Sequence, residues 1–350
     1  MIDLFAGVGG LDLAARAMDV PAIGIEWDKG ACATRRAAGL RTVEGDVRDF
    51  GPADFPSANV LAGGPPCQSF SVAGRGAGRQ ALDVVQRFAR RMADREDPEV
   101  IAAGLAELAD ERTGLVLEPL RWALKAVDDE CPYETIVLEQ VPCALPAWEF
   151  VGQVLADEDY EVTHGVLRAE EFGVPQTRQR AVLIARRHGE AALPKPTHRA
   201  YRKAPSGAAD DLTLLPWVAM GEALNRGEPF VVTSNYGTGG DPKRRGRRTS
   251  DEPAPTVTGK INRNRVATEG GIDLNRLSIA EAGILQSFPA DYPWAGMAIS
   301  QQIGNAIPPL LAAHILASAL DLPEQVVKSV TEKPTWGLLA ADERPRPSVP

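Results

Sequence analysis

The sequence predicts an α/β fold, a doubly wound and mostly parallel sheet with a second, smaller domain. In the first half of the chain, short apolar runs alternate with amphipathic stretches, as strands and helices do in such a sheet. Between residues 190 and 270 the composition shifts towards Pro, Gly, Thr and Arg, and helical patterning then returns. A chain of 350 residues with 44% hydrophobic content can bury the core of one large domain or two.

The predicted elements follow one another in the order that a doubly wound sheet requires. Four apolar runs are typical of strands: "IDLF", "AIGI", "NVLA" and "TIVL". Helical periodicity covers residues 10–18, 28–38, 118–129 and 145–156. Two further amphipathic helices between residues 75 and 112 interrupt this alternation, and we interpret them as an insertion.

These changes divide the chain into four parts. Residues 1–190 form the main α/β domain, with 75–112 as its helical insertion, and residues 191–274 form the second domain. Residues 275–330 return to the main domain, because helical patterning resumes there. Residues 331–350 are rich in proline and charge, so we expect this tail to be poorly ordered.

Composition excludes several classes of protein. No apolar run approaches the roughly 18 residues of a membrane span, and Asp3 stands where a signal peptide has basic residues, so we expect a cytoplasmic protein without membrane contact. The four cysteines form no CxxC pair, which argues against a disulfide framework or a structural zinc site, and we expect no bound metal. The formal net charge of −9 argues against a protein that coats nucleic acid over its whole surface, but it leaves room for a local basic groove.

A glycine-rich turn follows the first predicted strand. Gly7, Gly9 and Gly10 in "DLFAGVGG" allow a tight turn and close approach of the backbone to a ligand near a helix N-terminus. The dinucleotide fingerprint GxGxxG fails here, because Asp12 occupies the position of its third glycine. The turn therefore predicts a ligand other than a dinucleotide, which disfavours a nicotinamide dehydrogenase.

Polar side chains end the next two apolar runs. Glu26 and Trp27 follow "AIGI", and Asp46 follows "RTV". These residues suit an adenosine, with Glu26 for the ribose hydroxyls, Asp46 for the adenine amino group and Trp27 for stacking. Each acid could instead cap a helix.

Cys67 and Glu139 follow two further strand-like runs. The carboxyl ends of parallel strands meet at one edge of a sheet, so both residues should share the cleft with the adenosine site. A cysteine alone is usually an inert buried residue. Pro65 and Pro66 restrict the backbone directly before Cys67, which suits a thiol that must meet a ring at one angle. A carboxyl beside it can hold a proton against a heterocycle while the thiolate adds.

The chain resembles the DNA (cytosine-5) methyltransferase family over nearly its whole length. The matching motifs occur in family order: "DLFAGVGG", "EW", "GD", "GPPCQSFS", "LEQVP", "QTRQR", "LSIAEAGILQSFP" and "IGNAIPP". The resemblance implies the fold of an S-adenosylmethionine-dependent methyltransferase, S-adenosyl-L-methionine as cofactor and duplex DNA as substrate. It also places residues 191–274 where the family keeps its target-recognition region.

The resemblance further implies the roles of individual residues. Cys67 is the expected nucleophile, Glu139 engages the cytosine ring nitrogen, and Arg178 and Arg180 steady the base and the loop. Gln140 departs from the family, which usually has Asn after the catalytic Glu, and this leaves open how the strand end is tied to the cysteine loop. The cofactor pocket is expected to be lined by Phe5, Gly7, Gly9, Glu26, Trp27, Asp46, Pro65 and Asn305.

The implied chemistry explains the rigid cysteine loop. Carbon 5 of cytosine is a poor nucleophile, but attack of the Cys67 thiolate on carbon 6 converts the ring to an enamine that can accept a methyl group. The ring is hidden in the duplex, so the base must be flipped out at a cost of a few kcal/mol.

The region from 243 to 265 is strongly basic. It holds eight Lys or Arg residues and two acidic residues, a net charge of +6 in a chain of −9. We expect phosphate contacts here, although a disordered basic loop would have the same composition. The expected DNA-binding residues are Arg244, Arg245, Arg247, Arg248, Lys260, Arg263 and Arg265.

The sequence therefore predicts an enzyme that methylates carbon 5 of cytosine in a specific duplex DNA sequence. We expect a monomer, with a cognate restriction endonuclease acting separately as a further partner. Two alternatives keep the same motifs: a methyltransferase that acts on RNA cytosine, and a DNA-binding protein without catalysis. The long basic region favours DNA, and the intact Cys67 and Glu139 favour catalysis.

Overall fold

The computed structural model describes residues 1–66, 75–108, 110, 112–203, 213–234 and 246–331. A seven-stranded sheet in the order β3-β2-β1-β4-β5-β7-β6 forms its centre. Strands β1 to β5 are parallel, and β7 runs antiparallel to both β5 and β6. The strands are β1 (Ile2–Leu4), β2 (Ile23–Glu26), β3 (Thr42–Glu44), β4 (Val60–Gly63), β5 (Thr135–Gln140), β6 (Glu161–Arg168) and β7 (Gln179–Arg186).

Twelve helices are assigned within the described residues. Those of the first half are α1 (Gly10–Ala17), α2 (Lys29–Ala37), α3 (Arg75–Ala93), α4 (Pro98–Ala106), α5 (Arg112–Leu115), α6 (Glu118–Asp128) and α7 (Leu145–Asp157). Those of the second half are α8 (Met220–Leu224), α9 (Ile279–Leu285), α10 (Ile299–Asn305), α11 (Pro309–Ala319) and α12 (Glu324–Thr331). Among these residues no helix combines the length and apolar character needed to cross a membrane.

Helices cover both faces of the sheet, because side chains alternate along each strand. Leu61 and Leu138 join an apolar cluster with side chains of α3, α6 and α7 on one face. Ala62 and Val137, their neighbours in sequence, join a second cluster with α1 and α11 on the other face. This arrangement confirms the predicted doubly wound, mostly parallel α/β fold.

A second, three-stranded antiparallel sheet lies within residues 191–274, which were predicted as the smaller domain and are called the small region. Its strands are β8 (Val231–Thr233), β9 (Arg247–Thr249) and β10 (Arg265–Ala267), in the order β10-β8-β9. The apolar cluster beneath it also includes Leu285 and Ile303 from α9 and α10. Both helices follow residue 274, the predicted end of the smaller domain, yet they share its apolar cluster. The exact limits of the domains therefore remain a prediction.

The predicted insertion between residues 75 and 112 contains the helices α3 and α4, and α5 begins at its last residue, Arg112. It packs against the main sheet, because Val85, Phe88 and Ile101 belong to the same apolar cluster as Leu61. The predicted tail lies outside the described residues from 332 onwards.

Candidate active site

The loop that leads to Cys67 begins at the carboxyl end of β4. Gly64 donates its N–H to the carbonyl of Leu4 over 3.3 Å, which holds the start of the loop against β1. Pro65 is buried and Pro66 half-buried. Cys67 itself lies outside the described residues, so its role as nucleophile stays a prediction.

Glu139 and Arg180 form an ion pair at this edge of the sheet. Glu139 lies near the end of β5 opposite Val182 of β7, and Nε of Arg180 contacts Oε1 of Glu139. Both side chains are about nine-tenths buried. Burial raises the pKa of Glu139, and the guanidinium of Arg180 offsets part of that rise. A Cβ at Gly64 would lie 3.2 Å from Oε2 of Glu139, so the acid stands directly beside the loop that leads to Cys67.

Gln140 ties the end of β5 to this loop. Its side-chain nitrogen donates to the carbonyl of Pro65, and its side-chain oxygen accepts the N–H of Val141 over 2.6 Å. The side-chain amide of Gln140 therefore links the end of β5 to the loop, although the family usually has Asn at this position.

Arg178 lies in the interior and does not line the cleft described below. Its guanidinium is 1% exposed and donates to the carbonyls of Val257, Gly304 and Ala306 at 2.9 to 3.0 Å. These bonds join β7 to the small region and to the turn around Asn305. A direct contact of Arg178 with the base stays a prediction.

The glycine-rich turn after β1 meets the carboxylate of Glu26. Oε2 accepts the N–H of Gly7 over 2.7 Å, and Oε1 accepts the N–H groups of Trp27 and Asp28 at 3.0 and 2.7 Å. Phe5 and Gly7 both adopt positive φ values, +58° and +54°. A non-glycine residue in this conformation costs about 1 to 3 kcal/mol, and such strain concentrates at functional sites.

Among the other predicted cofactor residues, Trp27 follows β2, Asp46 follows β3 and Asn305 ends α10. The Trp27 side chain is 62% exposed and open for stacking. Both oxygens of Asp46 accept hydrogen bonds from the guanidinium of Arg48, so an adenine amino group would have to displace or share that partner. Asn305 is exposed at the end of α10, and its side-chain oxygen accepts from Gln301 over 2.7 Å.

A buried ion pair supports the turn from below. Arg35 of α2 donates to both oxygens of Asp12 of α1 at 2.7 and 2.8 Å, and a further contact of 3.3 Å reaches the carbonyl of Ala6. Asp12 therefore replaces the third glycine of the dinucleotide fingerprint with a structural carboxylate. Gly9 is restricted by packing, because a Cβ there would collide with the side chain of Leu40.

A cleft of about 600 Å³ opens between this edge of the sheet and the small region. Glu170 lies in a short 3-10 helix after β6, is 2% exposed, and has no hydrogen-bond partner for Oε2 among the described residues. Burial raises the pKa of Glu170 to about 7. The residues that line the cleft are Pro142, Arg168, Glu170, Thr177, Gln179, Arg180, Tyr201, Lys203, Arg248 and Thr256.

The predicted DNA-binding residues do not form one uniform surface. Arg248 lines the cleft, whereas Arg247, Lys260 and Arg263 are exposed. Arg265 is exposed and paired with Asp273 over 2.5 Å. Arg244 and Arg245 lie outside the described residues.

Comparison with known proteins identifies the family of this chain. The family model "C-5 cytosine-specific DNA methylase" matches residues 1–102 and 145–216. The chain is 28% identical to the Type II methyltransferase M1.HphI of Haemophilus parahaemolyticus, over 92% of this chain and 86% of that protein. It is 25% identical to M.HindV of Haemophilus influenzae, over 94% and 99% of the two chains. The chain belongs to the C-5 cytosine-specific DNA methylase family.

This cytosine-5 DNA methyltransferase also shares its fold with a solved structure. The S. pombe Dnmt2 methyltransferase superposes with a TM-score of 0.58 at 15% sequence identity, covering 91% of this chain and 98% of that chain. At this level of identity the likeness concerns the fold alone. The family assignment confirms the predicted activity, DNA cytosine-5 methylation, and implies catalysis that depends on S-adenosylmethionine.

The edge of the methyltransferase sheet fits this cofactor. Among the described residues the space around Gly7 is open, since a Cβ there would meet no atom but the carbonyl oxygen of Phe5, at 4.0 Å. Oε2 of Glu26 faces the turn and accepts one backbone N–H, that of Gly7, which leaves acceptor capacity for a hydroxyl group. The exposed Trp27 ring adjoins them in sequence and supplies an aromatic face.

Several functional side chains of the methyltransferase were not predicted from its sequence. Arg35 belongs to a helix that carries no motif, and Arg48 and Tyr201 have no neighbours in sequence that mark them. Asp12 could have indicated the ion pair, because an acidic side chain at a position expected to be a buried glycine needs a cationic partner. Glu170 stands two residues after Arg168 and gave no sign of its burial.

Proposed function

We propose that this methyltransferase flips a cytosine out of duplex DNA and methylates its carbon 5 through a covalent adduct with Cys67. In this proposal the thiolate adds to ring carbon 6, carbon 5 accepts the methyl group, and loss of the carbon 5 proton expels the thiol. Bound S-adenosylmethionine would supply the methyl group as an electrophile on sulfur. The turn after β1, with Glu26 and Trp27, would hold it.

The ion pair of Glu139 and Arg180 is the observation that carries this proposal. Glu139 is buried, and burial raises the pKa of its carboxyl, which favours a form that can share a proton with ring nitrogen 3. Arg180 contacts the same carboxyl and also lines the cleft, so it can steady the acid and face the ring.

The cleft supports a substrate of nucleic acid. Four of its lining side chains are cations: Arg168, Arg180, Lys203 and Arg248. In a chain of net charge −9, such a concentration attracts an anionic polymer to one place. Residues 191–274 would select the target sequence, and a restriction endonuclease would act separately on the same site.

Glu139→Gln tests the role of the acid. Glutamine keeps the shape but cannot deliver a proton, so methyl transfer in a single turnover should fall by about 100-fold or more. Glu134→Gln is the matched control, since Glu134 is exposed next to the opposite end of β5. Cofactor affinity, measured by calorimetry, should be the same in both variants. A large loss of cofactor binding with normal chemistry would place Glu139 in the cofactor site instead.

The nature of the polymer is tested by substrate comparison. Purified enzyme and radiolabelled cofactor should modify duplex DNA, with bisulfite sequencing giving the target, and should leave RNA of the same sequence unmodified. Preferential methylation of RNA would overturn the choice of DNA. Binding of DNA without any methylation would support the silent binding protein.

A further inference from the structure

Arg248 differs from the exposed Arg247 beside it, because neighbouring side chains hold its guanidinium in one place. It lies at the centre of β9, and its guanidinium carbon stands 4.5 Å from the ring centroid of Tyr201. One terminal nitrogen donates to the hydroxyl of Tyr201 over 2.9 Å and lies 3.5 Å from Oε1 of Glu252. The side chain is 20% exposed.

The partners of Arg248 are themselves fixed. The Tyr201 hydroxyl donates to Glu252, and the Tyr201 ring meets Trp217 edge to face at 5.4 Å. Glu252 also accepts the N–H of Thr249 over 2.7 Å. A stacked guanidinium with a rigid hydrogen-bonded frame loses little freedom when it forms two further hydrogen bonds.

The position of Arg248 relative to the cleft separates it from Arg247. Arg248 lines the cleft that Arg180 also lines, whereas Arg247 is exposed. Adjacent residues of a strand point to opposite faces, which accounts for the difference. Glu252 lies close to Arg248 and balances part of its positive charge. What Arg248 offers a ligand is therefore mainly the fixed direction of its N–H donors.

We propose that Arg248 reads the edge of a guanine in the target sequence, while Arg247 contacts phosphate. The inference rests on the proposed function and names one specificity-determining residue within it. A fixed guanidinium fork matches the O6 and N7 acceptors of guanine, the commonest specific contact of arginine with DNA. A phosphate contact needs charge but no such fixed orientation.

Arg248→Lys is the decisive variant, and Arg247→Ala is the comparison one residue away. Lysine keeps the charge and the aliphatic stem, so the fold is retained, but it lacks the planar fork. Binding is measured for duplexes that carry each base in turn at every position of the target, over a series of salt concentrations.

We expect Arg248→Lys to lose on the order of 10- to 100-fold of discrimination at one G·C position, with an unchanged salt slope. Arg247→Ala should weaken binding to all duplexes alike and lower the salt slope by about 0.9. Tyr201→Phe, which keeps the ring and removes the hydroxyl, should lose part of the same discrimination.

Two results would overturn the inference. Discrimination that is intact at every position in Arg248→Lys would exclude base reading. A uniform loss of binding with a lowered slope in Arg248→Ala would make Arg248 a phosphate ligand. Failure of the proposed function is distinct, because the wild type would then methylate no DNA at all.

Discussion

At the scale of single residues, Gln140 shows how one side chain can join two parts of a catalytic site. Its amide donates to the carbonyl of Pro65 and accepts from the N–H of Val141. It therefore fixes the loop that leads to Cys67 against the strand that carries Glu139. The extra methylene relative to Asn supplies the reach for both bonds.

Gln140→Leu should reduce methyl transfer by about 10-fold or more without changing cofactor affinity. Leucine leaves the Pro65 carbonyl and the Val141 N–H without these partners, and each unmet buried group costs about 1 to 3 kcal/mol. Gln140→Glu retains the acceptor for Val141, removes the donor to Pro65 and adds a negative charge, so it should also lose activity. Single-turnover rates and calorimetry give the two readouts, and wild-type rates in Gln140→Leu would refute the tie.

At the scale of elements, the pair of Asp12 and Arg35 joins α1 to α2 beneath the glycine-rich turn. The two side chains are 2% and 0% exposed, and both oxygens of the carboxylate are bonded. Arg35 also donates to the hydroxyl of Thr42 and to the carbonyl of Arg41, so it holds β3 as well. The glycine-rich turn is therefore positioned by a buried ion pair beneath it.

Asp12→Ala should lower the free energy of unfolding by about 3 to 5 kcal/mol, because it leaves a buried charge without its partner. The double change of Asp12→Leu with Arg35→Leu should recover much of that loss. Arg36→Ala is the matched control, since its pair with Glu44 is 58% and 40% exposed and should contribute about 0 to 1 kcal/mol. Urea unfolding measures all three, and equal losses for Asp12→Ala and Arg36→Ala would contradict the argument.

At the scale of the whole molecule, charge is unevenly distributed. The chain carries a net charge of −9, yet the cleft is lined by four cations and one carboxyl group, that of Glu170. On the proposed function, the acidic remainder disfavours contact with DNA elsewhere, and the four cations attract the duplex to the cleft. Glu170 sits among these cations with its pKa raised by burial, while Arg168 and Arg248 act to lower it and Glu171 to raise it.

The stability of the molecule should fall as the pH rises through about 7. Glu170 has a folded pKa of about 7 against 4.5 for an ordinary glutamate, so the folded state holds a proton that the unfolded state releases between these values. Glu170→Gln removes this linkage, so its melting temperature relative to that of the wild type should rise from about pH 4.5 to about pH 7 and stay level above pH 7. Glu161→Gln, at the exposed start of β6, is the control and should show a constant difference. A constant difference for Glu170→Gln would exclude the shift.

Much of the fold could be predicted because its signals are local. Helices α1, α2, α6 and α7 occupy nearly the predicted residues, since each has an apolar face of helical period. Strand β6 was missed, because as an edge strand it is largely exposed and has no apolar run. Helix α10 was not predicted as a separate helix, because its seven residues are too few to show a clear helical period.

The site was predicted only as far as its motifs reach. Glu139 and Arg180 were assigned from motifs, and the structure brings them into contact. The frame around Arg248 could not be predicted, because Tyr201 lies 47 residues away and nothing in either stretch marks the pairing. Hydrogen bonds of this kind depend on tertiary packing, which a single sequence does not display.

The buried bonds of Arg178 have a consequence for the time at which the enzyme takes shape. Its carbonyl partners, Val257, Gly304 and Ala306, follow it in the chain by 79, 126 and 128 residues. A growing polypeptide on the ribosome thus contains the arginine long before the atoms that satisfy it. Since a guanidinium cannot shed its charge, it must stay in water until then. The junction between β7 and the small region is therefore expected to close only when synthesis has reached the last helices.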